Sequence, residues 1–335
     1  MSQRNSYSRL SRLSTRSARR AACFCALLCG LNTFCWTADA QAVPTEATVP
    51  DSTLWKGSRA MADISRQLSF GPRSIGAPGH AKTIAYIEAE AAKLGATATR
   101  QQWTEQLDGK AVTLTNLVVR FSPLKTRRII LGTHYDSIVR AYRDAQNPLG
   151  PMPGANNSAS GVALLLETGR VLATARPQPS AGVDLVFFDG EEGPLSLGEG
   201  DGNWRPLGSP YFAARVDELY AARKPDTAIV FDMVCYRDLK LRPDVVATQA
   251  AADAMKRFWD IGRKMAPAVF VDDPYPASIS DDQVALARAG VPSFLVIGFD
   301  YEPWFNTTKD TIDKCSATSL EAVGRTVLAW LYTTN

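Results

Sequence analysis

The chain has 335 residues, 45% of them hydrophobic and 21% charged, a balance that supports a folded core and excludes a disordered or fibrous chain. It holds only two histidines, His80 and His134. That excludes a zinc site built on three imidazoles and leaves carboxylates as the main groups for holding a metal or moving protons.

The net charge of +3 belongs to the first residues. Positions 1 to 20 carry six arginines and no acid, Ala21 to Trp36 form a short apolar stretch, and Thr37-Ala38-Asp39-Ala40-Gln41-Ala42 closes it with small residues. A cationic head, an apolar core and a small-residue exit predict a secretory signal over 1–42. The apolar core is shorter than the roughly 20 residues a spanning helix needs. The expectation is an exported protein, periplasmic or secreted, with no stable membrane anchor after cleavage. Without the leader 31 basic and 33 acidic residues remain, a formal charge of −2, so nothing in the charge points to a nucleic-acid partner. Four of the six cysteines lie in the leader, leaving Cys235 and Cys315. Export permits them to pair, and two buried thiols fit the sequence equally well.

Residues 43–55 read as a polar linker of no evident function, and 56–335 as one domain. In chain order, helical periodicity runs from His80 to Leu94, with Ile84, Ile87, Ala91 and Leu94 on one face, and again from Ser160 to Ala173. Short runs rich in Val, Ile and Phe predict strands at Leu114–Phe121, Arg128–Gly132, Val183–Phe188, Ala228–Met233 and Ser293–Ile297. Several are apolar on both faces and are separated by helices. That pattern predicts an α/β fold, a three-layer αβα sandwich around a mostly parallel sheet.

Polar residues gather where these strands end: His134 and Asp136 after the second, Asp189, Glu191 and Glu192 after the third, Asp232 where Val230-Phe231 of the fourth runs out. In open α/β sheets the carboxyl ends of the strands face the ligand cleft, so these groups converge. Adjacent carboxylates there can divide labour, one holding a cation while the other moves protons.

The stretches Gly132-Thr133-His134-Tyr135-Asp136-Ser137, Gly154-Ala155-Asn156-Asn157-Ser158-Ala159-Ser160-Gly161, Phe188-Asp189-Gly190-Glu191-Glu192, Leu207-Gly208-Ser209, Asp281-Asp282-Gln283 and Trp304-Phe305-Asn306-Thr307 together resemble the M28 metallopeptidase family. Within it, the resemblance is to the zinc-dependent glutaminyl-peptide cyclotransferases. It implies zinc as cofactor, peptide or protein N-termini as partners, and pyroglutamate formation from N-terminal Gln. It makes Glu191 the general acid/base, in a buried carboxylate network with Asp232 and Asp281, Asp282 being the alternative partner. It also places Glu192 at a zinc position, with His134 and Asp232 as remnants of the second site of the two-metal aminopeptidases. The other two zinc positions hold Asn157 and Asn306, neutral amides without the charge or basicity of a zinc ligand, so tight zinc binding is not expected there. Two amides with NH₂ donors instead raise two expectations, an oxyanion-type pocket or a pair of side chains that bond each other and fill the space. Phe305 and Tyr301 fall where the family has aromatic substrate walls, and Trp204 follows the glycine-rich stretch Gly198 to Gly202, a candidate lid. His80 reads as a surface residue. Three functions follow: a cyclotransferase-like acyltransferase, an inactive relative that binds peptide N-termini, and a metallo-aminopeptidase.

Overall fold

A computed structural model describes residues 51–107, 109–193 and 204–333. The predicted signal over 1–42, the first part of the predicted linker and the Gly198–Gly202 stretch lie outside the described residues.

Six strands form one sheet in the order β1-β2-β4-β3-β5-β6. They are β1 (Ala98–Leu107), β2 (Lys110–Phe121), β3 (Arg128–His134), β4 (Gly182–Phe188), β5 (Thr227–Asp232) and β6 (Ser293–Ile297). β4, β3, β5 and β6 run parallel, while β1–β2 and β2–β4 pair antiparallel. Every residue of β3, β4, β5 and β6 is buried, because helices cover both faces. Alternate residues serve opposite layers. Leu117, Leu131, Leu185 and Phe231 face a core made with α1 (Gly57–Leu68), α3 (Ala159–Thr174), α6 (Gln249–Met265) and α8 (Ala317–Thr333). Val118, Ile130, Val186 and Val230 face a smaller core with α4 (Gly208–Ala213), α5 (Val216–Leu219) and α7 (Asp282–Arg288). This is the three-layer sandwich the sequence pattern implies, and its described residues form one compact unit.

The predicted helix over 80–94 is α2 (Pro78–Lys93), and the one over 160–173 is α3. β1 has no counterpart among the predicted strands. Its sequence is polar and it sits at the sheet edge, where only half of its surface needs covering. It folds back on β2, Leu107 pairing with Lys110, and Gly109 takes φ +73° just before that strand.

The end of the predicted linker is structural. Trp55 is fully buried and its indole Nε1 donates to Thr168 Oγ1 at 3.1 Å. Its ring lies against α8 at Gly324, where an added Cβ would come within 2.1 Å of the indole. A tryptophan amid polar residues read as linker because its partners lie more than a hundred positions away. Cys235, just beyond β5, is disulfide-bonded to Cys315, just before α8.

Candidate active site at the carboxyl edge of the sheet

Parallel strands deliver their last residues to one edge, and here that edge is acidic. β3 ends at His134 and runs into Asp136, β4 runs into Asp189, Glu191 and Glu192, and β5 ends at Asp232. Asp281 caps α7, its side chain accepting from the Asp282 backbone N–H. All of these carboxylates are at least nine-tenths buried.

His134 organises the centre. Its Nε2 lies 3.2 Å from Asp232 Oδ1, and its Nδ1 lies 3.4 Å from Asp136 Oδ1 and 3.9 Å from Glu191 Oε2. Burial alone would lower the imidazole pKa, but the hydrogen bonds from Asp136 and Asp232 outweigh it and raise it well above its ordinary value. Asp136 in turn accepts the backbone N–H groups of Glu191 and Glu192 at 3.1 and 3.2 Å, which fixes the turn after β4. Burial raises Glu191 well above the usual carboxylate range, with Asp281 and Glu192 adding to it and His134 opposing. Burial likewise lifts Glu192 to about 8 and Asp281 to about 7. Asp282 is fully buried, and burial with the neighbouring Asp281 charge raises it well above the usual carboxylate range, against a contact with Ser209.

The two amides adjoin this cluster. Asn157 Nδ2 donates to Glu192 Oε1 at 2.8 Å and to Asn306 Oδ1 at 3.3 Å, and Asn306 Nδ2 donates to the Tyr142 hydroxyl at 3.2 Å. The structure therefore brings Asn157, Asn306 and Glu192 together, as the motif spacing requires. The two amides bond each other, Asn157 donating to Asn306, both NH₂ groups have protein acceptors, and Asn157 Oδ1 is left buried without a partner. Asn156 and Asn306, which head formal glycosylation motifs, are 0% and 4% exposed, so neither is open to modification in the folded chain.

Several supports escaped the sequence reading. Asp310 accepts from the Asn156 and Asn157 backbone N–H groups at 2.9 and 3.1 Å and from the Tyr301 hydroxyl at 2.7 Å. Tyr301, expected as a substrate wall, is fully buried in this supporting role. His80 is 6% exposed rather than on the surface, its Nε2 2.7 Å from Asp189 Oδ1. A lone histidine near a helix start carries no sequence signal of a partner 109 positions away. Phe305 stays on the open side, next to Phe299 with ring centroids 5.5 Å apart and under the Arg143 guanidinium at 5.2 Å. Trp204 is 36% exposed.

Burial lifts the Asp310 carboxyl to about 6, against the hydrogen bonds from Asn156, Tyr301 and Asn157 and the charge of Arg73. Its ordinary value is 3.8, so the native state holds this proton more tightly than the unfolded chain does. The resulting stabilisation is complete below about pH 4 and is lost as pH rises through about 6. Urea midpoints are expected to fall across that window, and Asp310→Asn, though less stable overall, to lack this part of the slope. An unchanged slope in the variant would assign it to another group.

Three comparisons bear on ancestry. Residues 116–331 match the family model described as Peptidase family M28. The glutaminyl cyclase of Tannerella forsythia is 28% identical, with a TM-score of 0.76 over 84% of this chain and 99% of that one. A leucine aminopeptidase precursor from Bacteroides thetaiotaomicron is 27% identical, with a TM-score of 0.76 over 86% and 100%. Among curated proteins, the glutaminyl-peptide cyclotransferase-like protein of Bos taurus is 24% identical over 71% of this chain and 66% of its own. The matches span between 33% and 66% of the length of such curated relatives. On the extent of the family match, supported by fold and by the strand-end motifs, the chain belongs to peptidase family M28.

Proposed function

We propose that this chain binds peptide or protein N-termini in a glutaminyl-cyclase-like cleft, that its own carboxylates can take up the amine proton, and that its Glu192 corner does not hold zinc. The observation that carries the reading is the polarity of the Asn157 amide.

Zinc is the group the family leads one to test, since a neighbour of the same fold is described as a Zn-dependent exopeptidase (24% identical, TM-score 0.75). The residues do not fit it. A cation between Glu192, position 157 and position 306 would face the Nδ2 hydrogens of Asn157, which point at Glu192. Only Glu192 of the three carries a side chain of zinc-ligand type. The two-metal aminopeptidase reading fits worst, because a neutral amide at 157 cannot bridge two metals.

An α-ammonium fits better. It brings donors to a place where the Asn157 amide leaves an orphaned acceptor, Oδ1, while its Nδ2 lies 2.8 Å from Glu192, and where Glu191 and Asp232 stand around the neighbouring His134. Glu191 is the group placed to accept an amine proton and hand it to a leaving nitrogen, as an intramolecular ring closure of N-terminal Gln requires. Asn157 Nδ2 spends both hydrogens on Glu192 Oε1 and Asn306 Oδ1, and only the second hydrogen of the Asn306 amide remains, a neutral donor weaker than a metal ion for polarising the reacting carbonyl, so this arrangement favours binding over turnover.

The test is calorimetric titration of the purified protein with a Gln-initiated tripeptide and its N-acetylated form, with and without a chelator. Binding of the free amine alone, unaffected by chelator, is expected. Asn157→Ala should weaken it by about tenfold or more, the scale of a hydrogen bond to a charged donor. Equal binding of the acetylated peptide, or loss of binding with chelator, would refute the proposal.

A further inference from the structure

The carboxylate cluster is not the only feature at Asp281. Between α4 and α7 runs a cleft of about 370 Å³ whose inner end is Ser280 and Asp281, the latter the same residue that faces Asp232 in the acidic cluster. The cleft is floored by Pro206, Leu207, Pro210 and Val284 and rimmed by Arg205 and Arg288. Pro210, Ala285 and Arg288 also line a second depression of about 540 Å³, so the two lie side by side along α4 and α7.

The lining of this groove carries two of the exposed arginines that lack a carboxylate partner among the described residues, a group that also includes Arg66, Arg176 and Arg257 elsewhere on the surface. Most arginines on the described surface lie within 4 Å of a carboxylate, among them Arg100, Arg127, Arg223, Arg242, Arg263 and Arg325. Arg205 and Arg288 have no such partner among the described residues and are exposed. In the outer depression, by contrast, Lys224 is held by Asp217 at 3.0 Å and by the Ala289 carbonyl at 2.9 Å. On the opposite wall Glu105 is turned to the Trp103 indole at 3.2 Å. An apolar floor keeps water away, and two uncommitted guanidiniums above it present forked donors that match a carboxylate.

We propose that this groove receives the peptide chain beyond its N-terminal residue and selects for a carboxylate on it. The inference rests on the N-terminus-binding reading above and adds a substrate class: peptides and proteins with an acidic residue close behind their N-terminus. Asp281 belongs both to the acidic cluster and to the lining of the groove, and this shared residue is the link between an amine held at Asn157 and Glu192 and the chain that follows it.

The experiment compares Gln-Ala-Glu-Ala-amide, Gln-Ala-Lys-Ala-amide and free-acid Gln-Ala-Ala for binding to the mature protein at low and high salt. Preference for the Glu peptide over the Lys peptide by about fivefold or more, shrinking with salt, is expected from one well-placed ion pair. The free-acid tripeptide separates a terminal carboxylate from a side-chain one. In the Arg205→Glu plus Arg288→Glu variant the preference should reverse, and both side chains are exposed enough for the fold to tolerate the change. Equal affinity for the Glu and Lys peptides would overturn the groove assignment while leaving N-terminus binding intact. Failure of every free-amine peptide to bind would overturn both.

Discussion

Asn157→Asp combined with Asn306→His is expected to give a protein that carries zinc through gel filtration and turns over Gln-initiated peptides at least about a hundredfold faster than the natural chain. The backbone for this already exists. Position 157 faces Glu192 at 2.8 Å and position 306 at 3.3 Å, the loop carrying 157 is pinned by Asp310 and the Asn306 side chain reaches Tyr142. An aspartate and an imidazole there, with Glu192, complete a set of two carboxylates and one nitrogen of the kind that binds zinc. When bound, the metal supplies the carbonyl polarisation that the natural residues lack, worth about 10²–10³ in rate if it matches one strong oxyanion donor. Neither single variant should reach half the gain in free energy, because two of three ligands do not hold the ion and the substitutions are coupled. Metal analysis and ammonia release check both halves. If the natural chain already binds zinc stoichiometrically and the double variant gains nothing, the reading of the amides is wrong.

The legibility of this site in the sequence follows from where its information lies. β3, β4, β5 and β6 are apolar on both faces, and their final residues carry the chemistry, so runs such as Ile129-Ile130-Leu131 and Val183 to Phe188 mark both the sheet and the edge at which Glu191, Glu192 and Asp232 emerge. The family motifs alone put Asn157 and Asn306 at one site. What could not be read is the direction of the hydrogen bonds. Two asparagines announce both donors and acceptors, and only the neighbours Glu192 and Tyr142 decide which atoms are used. Long-range pairs were equally silent. His80 with Asp189 and Trp55 with Thr168 join residues more than a hundred positions apart, and no local periodicity encodes such partners.

Arg73 illustrates the same point with the largest expected effect on stability. It is fully buried, between β3 and the loop that carries Asn157. Its side chain donates to the carbonyls of Tyr135 at 3.3 Å, Pro153 at 2.8 Å and Gly154 at 2.7 Å, and its backbone N–H donates to Ser137 Oγ at 3.0 Å. The loop is tight here: Gly154 takes φ +68°, and an added Cβ would meet the Asn157 carbonyl at 2.3 Å. Burial lowers the guanidinium to about 10, with Asp310, Asp136 and Glu192 working the other way, so it remains charged at neutral pH. It sets a permanent positive charge beside the buried carboxylates Asp310, Asp136 and Glu192. Arg73→Met should remove that charge, strand three buried carbonyls and cost about 3–5 kcal/mol, the scale seen when one partner of a buried charged group is deleted. Arg73→Lys should recover only part of this, because a single ammonium cannot reach all three carbonyls in the plane of a guanidinium. With the loop released, Asn157 loses its fixed place beside Glu192, so binding of free-amine peptides should fall in the Lys variant even at temperatures where it stays folded. Urea midpoints and peptide titrations read the two effects separately. A Met variant within about 1 kcal/mol of the natural chain, an ordinary effect for a single substitution, would mean that the carbonyls find water and that the buried charge is not what holds the site.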